Sequence, residues 1–453
     1  MPAPRSQAIH CGAAAGRPRK LAGWLVWALL LSVLTAAGCG IAELTSAGVG
    51  GATPIGRSAV GDLPSRSAAG VRAREGAGGS IIPGPVPDFE PVRAVVTHRQ
   101  LVDIQPELST VLTTLLGPQH LVERFSGPAP LVLTGRQPPG VDDESLLWVR
   151  DYQPIFVRTA DGELKMVRYL AENPNRARYL PARGEASARP DGSYRYFDLP
   201  GTSRGGRWLR TEALPLIHEN GNLVSSGKLV FLTDLIFDQN VEDLSEPHLR
   251  AAGYRPRSEA EVKRLLAKAL ERPQHQLVVL PSMPGEDTGH VDMYLLALDE
   301  HTMVIPEIRD EALDDEMLSE QTRGFVPAAQ RFLEERAAEL EALGLEVVRL
   351  PMLPPMAMTE EPAGDGEGTS EPGMLVLSPT NALLLPVVGA RTVLLPYFDV
   401  SEFPLVFRRL DATYRRIWAE RFRAHGWIPV TVEATQLALG QGLLRCASYP
   451  VPL

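Results

Sequence analysis

The feature that most constrains the fold is a module of strand, strand, helix and strand that occurs three times in succession. Its first copy has a hairpin over 216–234 that turns at Ser226 and Gly227, a helix over 258–270 and the strand QLVVLP. Ser258 and Glu261 form a capping box at the start of that helix. Because a single module of this kind cannot bury its apolar face alone, the repeat predicts a pseudo-symmetric α/β assembly.

The second and third copies follow the same order. HVDMYLLALDEHTMVIPE predicts a hairpin, residues 326–343 a helix stopped by Gly344, and LEVVRLP the closing strand. NALLLPVVGARTVLLP, the helix over 408–424 and WIPVTV make the third copy.

Two further modules are less complete in the sequence. LLWVRDYQPIFVRTADGELKMVRY predicts a hairpin, and AVVTH, the helix PELSTVLTTLLG and the strand PLVLTG fit a fourth unit. A fifth could be closed by combining the two ends of the chain. A two-domain open sheet is the alternative topology that periodicity leaves open.

Charge separates the first residues from the rest of the chain. The 453 residues are 44% hydrophobic and 22% charged, enough for a large core, and carry a net charge of −10. The first 38 residues contain four basic side chains and no acid, which leaves −14 for the remainder. A domain this acidic is a poor nucleic-acid binder and a reasonable host for cationic ligands.

The N-terminal segment has the layout of a secretory signal. RPRK precedes an apolar run too short for a membrane span and the small-residue site AAGC. We therefore expect residues 1–39 to be a signal peptide with lipidation at Cys39, and a protein anchored in the bacterial cell envelope; simple secretion is the alternative. Residues 40–86 predict a flexible linker and 87–453 the catalytic domain, in which 355–373 is an acidic, solvated insertion.

Cysteine use leaves one thiol for chemistry. Cys11 lies in the removed segment and Cys39 would be acylated, so Cys446 is the remaining free thiol. It is either a small buried hydrophobic residue or a nucleophile.

Each predicted hairpin begins with a polar residue that the apolar pattern does not require. His290 and Asp292 are two apart, so on a strand they would share one face. Equivalent positions converge around a pseudo-symmetry axis, where Cys446 would join them. Taken singly, each could be a turn or packing residue. The positions are Asp151, Glu219, His290 with Asp292, and Asn381.

WVRDYQPIFV, HENGNLVSSG, GHVDMY and SPTNALLLPV, followed by GQGLLRCAS, resemble the agmatine deiminase and bacterial peptidylarginine deiminase family. The resemblance spans about residues 87–453 in the same order, and it implies a five-bladed α/β propeller. It further implies Cys446 as nucleophile, His290 as general acid and base, Glu219 as its orienting carboxylate, Asp151 and Asp292 as guanidinium ligands, and Asn381 at a polar position of the substrate site.

Two positions depart from the family pattern. Asn220 and Gly221 stand where a double glycine is frequent, and Arg445 stands where a histidine usually precedes the cysteine. A cation beside the thiol would lower its pKa, and it could also repel a cationic substrate.

The resemblance implies hydrolysis of a guanidinium to a urea group and ammonia through a covalent cysteine thiouronium, without a metal or other cofactor. An exported enzyme meets arginine in peptides and proteins, so we expect peptidylarginine ahead of agmatine, with free arginine as a third candidate. Three other interpretations stay open. They are a metal-dependent hydrolase using His290, Asp292, Glu219 and perhaps His218, a non-catalytic surface lipoprotein that binds arginine peptides, and amidino transfer to an amine.

Overall fold

The computed structural model describes residues 82–98, 101, 104–117, 121–124, 147–172, 193–195, 208–244, 246–313, 319–357, 374–387, 390–399, 405–440 and 442–452. These residues belong to one compact unit of the chain, formed by 73–359 and 368–453. The expected lipidation site Cys39, the signal segment and almost all of the linker lie outside the described residues, as does the insertion from residue 358 to 373.

Short strands and amphipathic helices alternate along the described chain. The strands are β1 Gly84–Pro85, β2 Val92–His98, β3 Leu121–Arg124, β4 Ile155–Arg158, β5 Leu164–Leu170, β6 Ser193–Arg195, β7 Trp208–Ile217, β8 Val224–Ser225, β9 Val230–Thr233, β10 Leu277–Leu280, β11 Leu296–Ala297, β12 Thr302–Ile308, β13 Glu346–Met352, β14 Met356–Ala357, β15 Met374–Leu375, β16 Leu383–Val387, β17 Ala390–Tyr397, β18 Ile428–Glu433 and β19 Ser448–Pro452. The helices are α1 Pro106–Leu116, α2 Leu235–Val241, α3 Pro247–Ala251, α4 Glu259–Ala269, α5 Glu320–Ala342, α6 Leu405–Ala424 and α7 Thr435–Leu439.

The three repeated modules form in the predicted order, but the first strands of two hairpins are shorter than predicted and consist of Val224–Ser225 and Leu296–Ala297. In each, two antiparallel strands are followed by a helix and a strand that pairs in parallel with the second: β8, β9 and β10, then β11, β12 and β13, then β16, β17 and β18. Ser258 accepts a hydrogen bond from the Glu261 backbone N–H at the start of α4, as the capping box predicts. Helix α5 begins at Glu320, six residues before the predicted start, because Ser319 caps it there.

The two chain ends combine into a module of the same pattern. Strand β19 runs antiparallel to β2, which pairs in parallel with β3. The sequence predicted the closing strand at PLVLTG, but that segment lies outside the described residues and Leu121–Arg124 occupies the place beside β2. Strands β4, β5 and β7 repeat the order of antiparallel and parallel pairing once more.

The α/β class is therefore confirmed, with several small sheets in place of one large one. Within the described residues the strands form six sheets, the largest of five strands. The closed five-bladed arrangement stays a prediction. Among the same residues, no helix combines the length and apolar character that a membrane crossing requires.

Helix α6 illustrates how the modules pack. Tyr414, Trp418 and Phe422 recur every fourth residue, so they lie along one face of the helix, and all three are almost fully buried. The indole N–H of Trp418 donates to the carbonyl of Pro351 in β13 at 2.7 Å, which satisfies its one polar atom and joins the third module to the second.

Candidate active site

The predicted site residues lie on turns that precede the hairpins, and the strand assignment for His290 and Asp292 is wrong. His290 precedes a 3₁₀ turn formed by Val291–Met293, and β11 begins only at Leu296. In such a turn residues two apart do not share a face. The short β11 explains the difference, because only Leu296 and Ala297 have antiparallel partners on β12.

The other hairpins begin in the same way. Asp151 belongs to the 3₁₀ turn Val149–Tyr152, and Glu219 precedes the turn Asn220–Asn222. These two turns contact each other, and the second also contacts the turn after His290. Polar residues far apart in sequence are therefore brought together by equivalent turns.

His290 lies between two carboxylates. Its Nε2 is 2.9 Å from Glu219 Oε2, and its Nδ1 is 3.9 Å from Asp151 Oδ1. The imidazole is buried, with only 3% of its side chain exposed. Burial alone would lower the pKa of His290, but the negative charges of Asp151, Glu219 and Asp292 outweigh it and raise the pKa to about 9. The ring therefore carries a proton at neutral pH.

A carboxylate-bound loop positions this imidazole. Glu286 accepts hydrogen bonds from the backbone N–H groups of Thr288 and Gly289 at 3.0 and 2.7 Å. The hydroxyl of Thr233, at the end of β9, donates to the carbonyl of Gly289 at 2.6 Å. These bonds fix the backbone immediately before His290 to the preceding module.

The thiol of Cys446 is free, and only 4% of the residue is exposed. The amide of Asn381 donates to its Sγ at 3.1 Å, while Asn381 Oδ1 accepts from the backbone N–H groups of Arg445 and Cys446 at 3.0 and 3.2 Å. Asn381 was predicted at a polar position of the substrate site; its observed contacts are with the cysteine and its neighbour.

The positive charge of Arg445 favours the Cys446 thiolate, as expected, but in the substrate-free site it does not outweigh the effects that raise the pKa of the thiol. Burial, followed by the negative charges of Asp292 and Asp151, raises the pKa of the Cys446 thiol well above its ordinary value. Arg445 directs its guanidinium to Asp292 and Asp88. The thiol is consequently protonated at neutral pH.

Asp292 is fully buried and binds a cation of its own chain. Its Oδ2 accepts a hydrogen bond from Arg445 Nη1 at 2.5 Å. Among the described residues, its other oxygen, Oδ1, has no hydrogen-bond partner. One of the two carboxylate oxygens of Asp292, a predicted guanidinium ligand, is therefore bound to Arg445 in the substrate-free protein.

Sequence reasoning missed two residues that shape the site. Asp88 accepts from Arg445 Nε at 2.7 Å and lies 3.3 Å from Arg150 Nη2, and nothing in its neighbouring sequence distinguishes it from a linker aspartate. Gly221 faces the imidazole so closely that a Cβ there would lie 2.3 Å from His290 Nδ1. The double-glycine comparison with the family could have indicated the second of these.

The carboxylates of Asp151 and Glu219 and the imidazole of His290 form a candidate metal site. One ligand atom each from Asp151, Glu219 and His290 lie within 4.8 Å of one another. Such a set suits a divalent cation, although it also describes a histidine hydrogen-bonded by carboxylates. His218, the fourth ligand considered from sequence, is fully buried, and burial together with the charge of His290 lowers its pKa to about 3.

Comparison with solved structures finds two agmatine deiminases and a DDAH among the matches. An agmatine deiminase of C. jejuni is 11% identical with a TM-score of 0.48, and the match covers 81% of this chain and 95% of that one. An agmatine deiminase of Enterococcus faecalis is 15% identical with a TM-score of 0.48, covering 82% and 96%. A DDAH of Pseudomonas aeruginosa, solved with citrulline, is 13% identical with a TM-score of 0.38, covering 80% and 100%.

No family model matches the sequence, and no curated protein sequence is significantly similar to it. The solved agmatine deiminases bear the name of the family that the sequence motifs resemble.

Proposed function

We propose that this chain is a guanidine deiminase that hydrolyses a guanidinium group to a urea group and ammonia, with Cys446 as nucleophile. The observation that carries the proposal is that a free, buried thiol and an imidazole lying between two carboxylates share the acidic neighbours Asp151 and Asp292. Asp151 links the two groups, because it lies 3.9 Å from His290 Nδ1 and its charge also raises the pKa of Cys446.

The acidic side chains suit a cationic substrate. A guanidinium is planar and presents several N–H donors, which carboxylates can grip and orient. Asp151 and Asp292 would hold the substrate cation beside the thiol. Because these two carboxylates contribute to the high pKa of Cys446, a bound guanidinium that offsets their charge would favour loss of the thiol proton to solvent.

The reaction then proceeds in two steps, formation of the covalent thiouronium and its hydrolysis. The Cys446 thiolate forms a bond to the guanidinium carbon, protonated His290 gives its proton to one nitrogen, and the carbon–nitrogen bond breaks to release ammonia. Neutral His290 next takes a proton from water, whose oxygen attacks the thiouronium carbon. The carbon–sulfur bond breaks and the added hydroxyl loses its proton to solvent or to ammonia, leaving the thiolate, the protonated imidazole and a urea product.

We propose arginine in peptides as the substrate class, ahead of agmatine and free arginine. The proposal depends on the export signal and the lipidation site at Cys39, which would place the domain on the outer side of the cytoplasmic membrane. The discriminating measurement is ammonia and ureido product from an arginine peptide, agmatine and arginine under one set of conditions. A larger kcat/KM for agmatine than for the peptide would overturn the assignment.

The mechanism is tested by Cys446→Ser in the chain lacking residues 1–39. We expect ammonia release to fall by at least about 10³-fold, because the weaker serine nucleophile has no base that could activate it while His290 is protonated. Ser226→Ala, a buried hydroxyl in the β8–β9 turn, is the matched control and should keep wild-type activity. Full activity in Cys446→Ser would defeat the proposal.

A metal-dependent hydrolase is the second candidate because Asp151, Glu219 and His290 could hold a cation. Dialysis against a chelator separates the two, since the cysteine mechanism predicts unchanged ammonia release. Loss of activity that a divalent metal restores would favour the metal enzyme. Added amine acceptors with product analysis test amidino transfer in the same assay.

A further inference from the structure

Arg445 places a guanidinium of the chain itself on a carboxylate proposed for the substrate. Its Nη1 donates to Asp292 Oδ2 at 2.5 Å, and 3% of the Arg445 side chain and none of the Asp292 side chain are exposed. The group that Arg445 presents to Asp292 is chemically the same as the group that a substrate would present. Substrate and Arg445 therefore have a common ligand.

The side chain of Arg445 is anchored on a second carboxylate. Its Nε donates to Asp88 Oδ2 at 2.7 Å, and its Nη2 donates to the carbonyl of Leu223 at 3.2 Å. The backbone of Arg445 is held independently, because its N–H donates to Asn381 Oδ1 at 3.0 Å. The backbone beside Cys446 is thus held by bonds that do not involve the guanidinium or Asp292.

Asp88 remains available to a displaced Arg445. Of its side chain, 19% is exposed, against none for Asp292, and Arg150 also contacts it at 3.3 Å. The two arginines lower the pKa of Asp88 although burial acts in the opposite direction. An ionised Asp88 would keep Arg445 paired after Asp292 has bound a substrate guanidinium. No buried cation would then be left without a counter-charge.

We propose that Arg445 is a resident guanidinium that occupies Asp292 in the free protein, and that it gives up Asp292 and stays paired with Asp88 when a substrate guanidinium binds. This inference rests on the proposed function for the identity of the substrate. Displacement costs every guanidinium ligand the same free energy, so all guanidines bind more weakly than a free Asp292 would allow. A ligand therefore needs contacts outside the guanidinium to reach high affinity.

The test is a double-mutant cycle on agmatine binding, measured by calorimetry in the Cys446→Ser background so that no turnover is needed. Arg445→Gln leaves both oxygens of Asp292 to the ligand, and we expect the Kd for agmatine to fall about tenfold. Asp88→Asn removes the negative charge that keeps the displaced side chain paired, and we expect the Kd to rise about tenfold. Displacement further predicts that the double variant binds like Arg445→Gln, because Asp88 matters only while Arg445 is present.

A simple effect of net charge predicts a different cycle. The two substitutions would then add, and the double variant would return close to the wild-type Kd. Additivity, or an unchanged or higher Kd in Arg445→Gln, would overturn the proposal. A complex with agmatine in which Arg445 Nη1 stays within hydrogen-bond distance of Asp292 would do the same.

Controls guard against misfolding and keep the two proposals distinct. Arg257→Gln removes another buried arginine, which pairs with Glu261, and should leave agmatine binding unchanged. If Arg445→Gln fails to melt cooperatively, Arg445→Lys keeps the charge without the planar fork, and we expect about a threefold lower Kd. Non-additive binding with no ammonia release in the wild type would support displacement and defeat only the hydrolase, whereas no agmatine binding in any variant contradicts displacement.

Discussion

His290 Nε2 lies 2.9 Å from Glu219 Oε2, and this contact joins the turn before β8 to the turn before β11. The carboxylate both orients the ring and favours its protonated form. With Asp151 beside the other ring nitrogen, the imidazole has an acidic group near each of its proton-bearing atoms.

Glu219→Gln should lower the pKa of His290 from about 9 toward its ordinary value of 6.5, because a hydrogen-bonded negative charge is lost. We expect kcat to fall by on the order of 10²-fold and its alkaline limb to move to lower pH. The pH profile of kcat and an NMR titration of the imidazole measure both effects. Glu261→Gln, which changes an acid paired with Arg257 away from the site, should leave the profile in place. An unshifted His290 titration in Glu219→Gln would refute the coupling.

The raised pKa of His290 should also make the free energy of unfolding depend on pH. The folded protein holds this proton more tightly than the unfolded chain, so the stabilisation is fully present below pH 6.5 and is lost as pH rises through about 9. Between pH 6.5 and pH 9, the free energy of unfolding of the wild type should fall by up to about 3 kcal/mol more than that of His290→Gln. Urea unfolding of both proteins at pH 6.5 and pH 9 measures the difference. Parallel pH dependences in the two proteins would contradict the prediction.

His218 should make stability depend on pH in the acid range, where stability falls as the pH is lowered. Burial lowers its pKa to about 3, so below pH 6.5 the unfolded chain binds a proton that the folded protein does not. Stability is therefore lost as pH falls from 6.5 toward 3. His218→Gln should show a smaller fall in melting temperature between pH 6.5 and pH 4 than the wild type. An identical fall would show that His218 is not neutral in the folded protein.

Gly221→Ala should damage activity through the imidazole. The new Cβ would lie 2.3 Å from His290 Nδ1 and 3.1 Å from Asp151 Oδ1, so the ring must move. A displacement of about 1 Å in a catalytic group lowers kcat on the order of 10²-fold. Gly324→Ala is the matched control, because a Cβ at Gly324 in α5 meets nothing within 4 Å, and a glycine-to-alanine change in a helix stabilises by about 0.5–1 kcal/mol. Equal activities in the two variants would contradict this account of Gly221.

The sequence by itself determined the modules, because their signals are local. Alternating and helical periodicities placed the strands β16, β17 and β18 and the helix between them, and the capping residue Ser258 placed the start of α4. The pairing of the two chain ends could be anticipated only as a way to complete the repeat. A polar residue before each hairpin was also visible, since it interrupts an apolar pattern.

Tertiary structure alone decided the backbone geometry at His290 and the partner of Asp292. His290 looked like a strand residue because the apolar residues after it continue the pattern, but pairing with β12 begins only at Leu296. Arg445 is 153 residues from Asp292 and 357 from Asp88, and no local pattern specifies which cation meets which carboxylate across such separations. Burial then fixed the protonation states, because the charge of each group depends on neighbours that come together only in the folded chain.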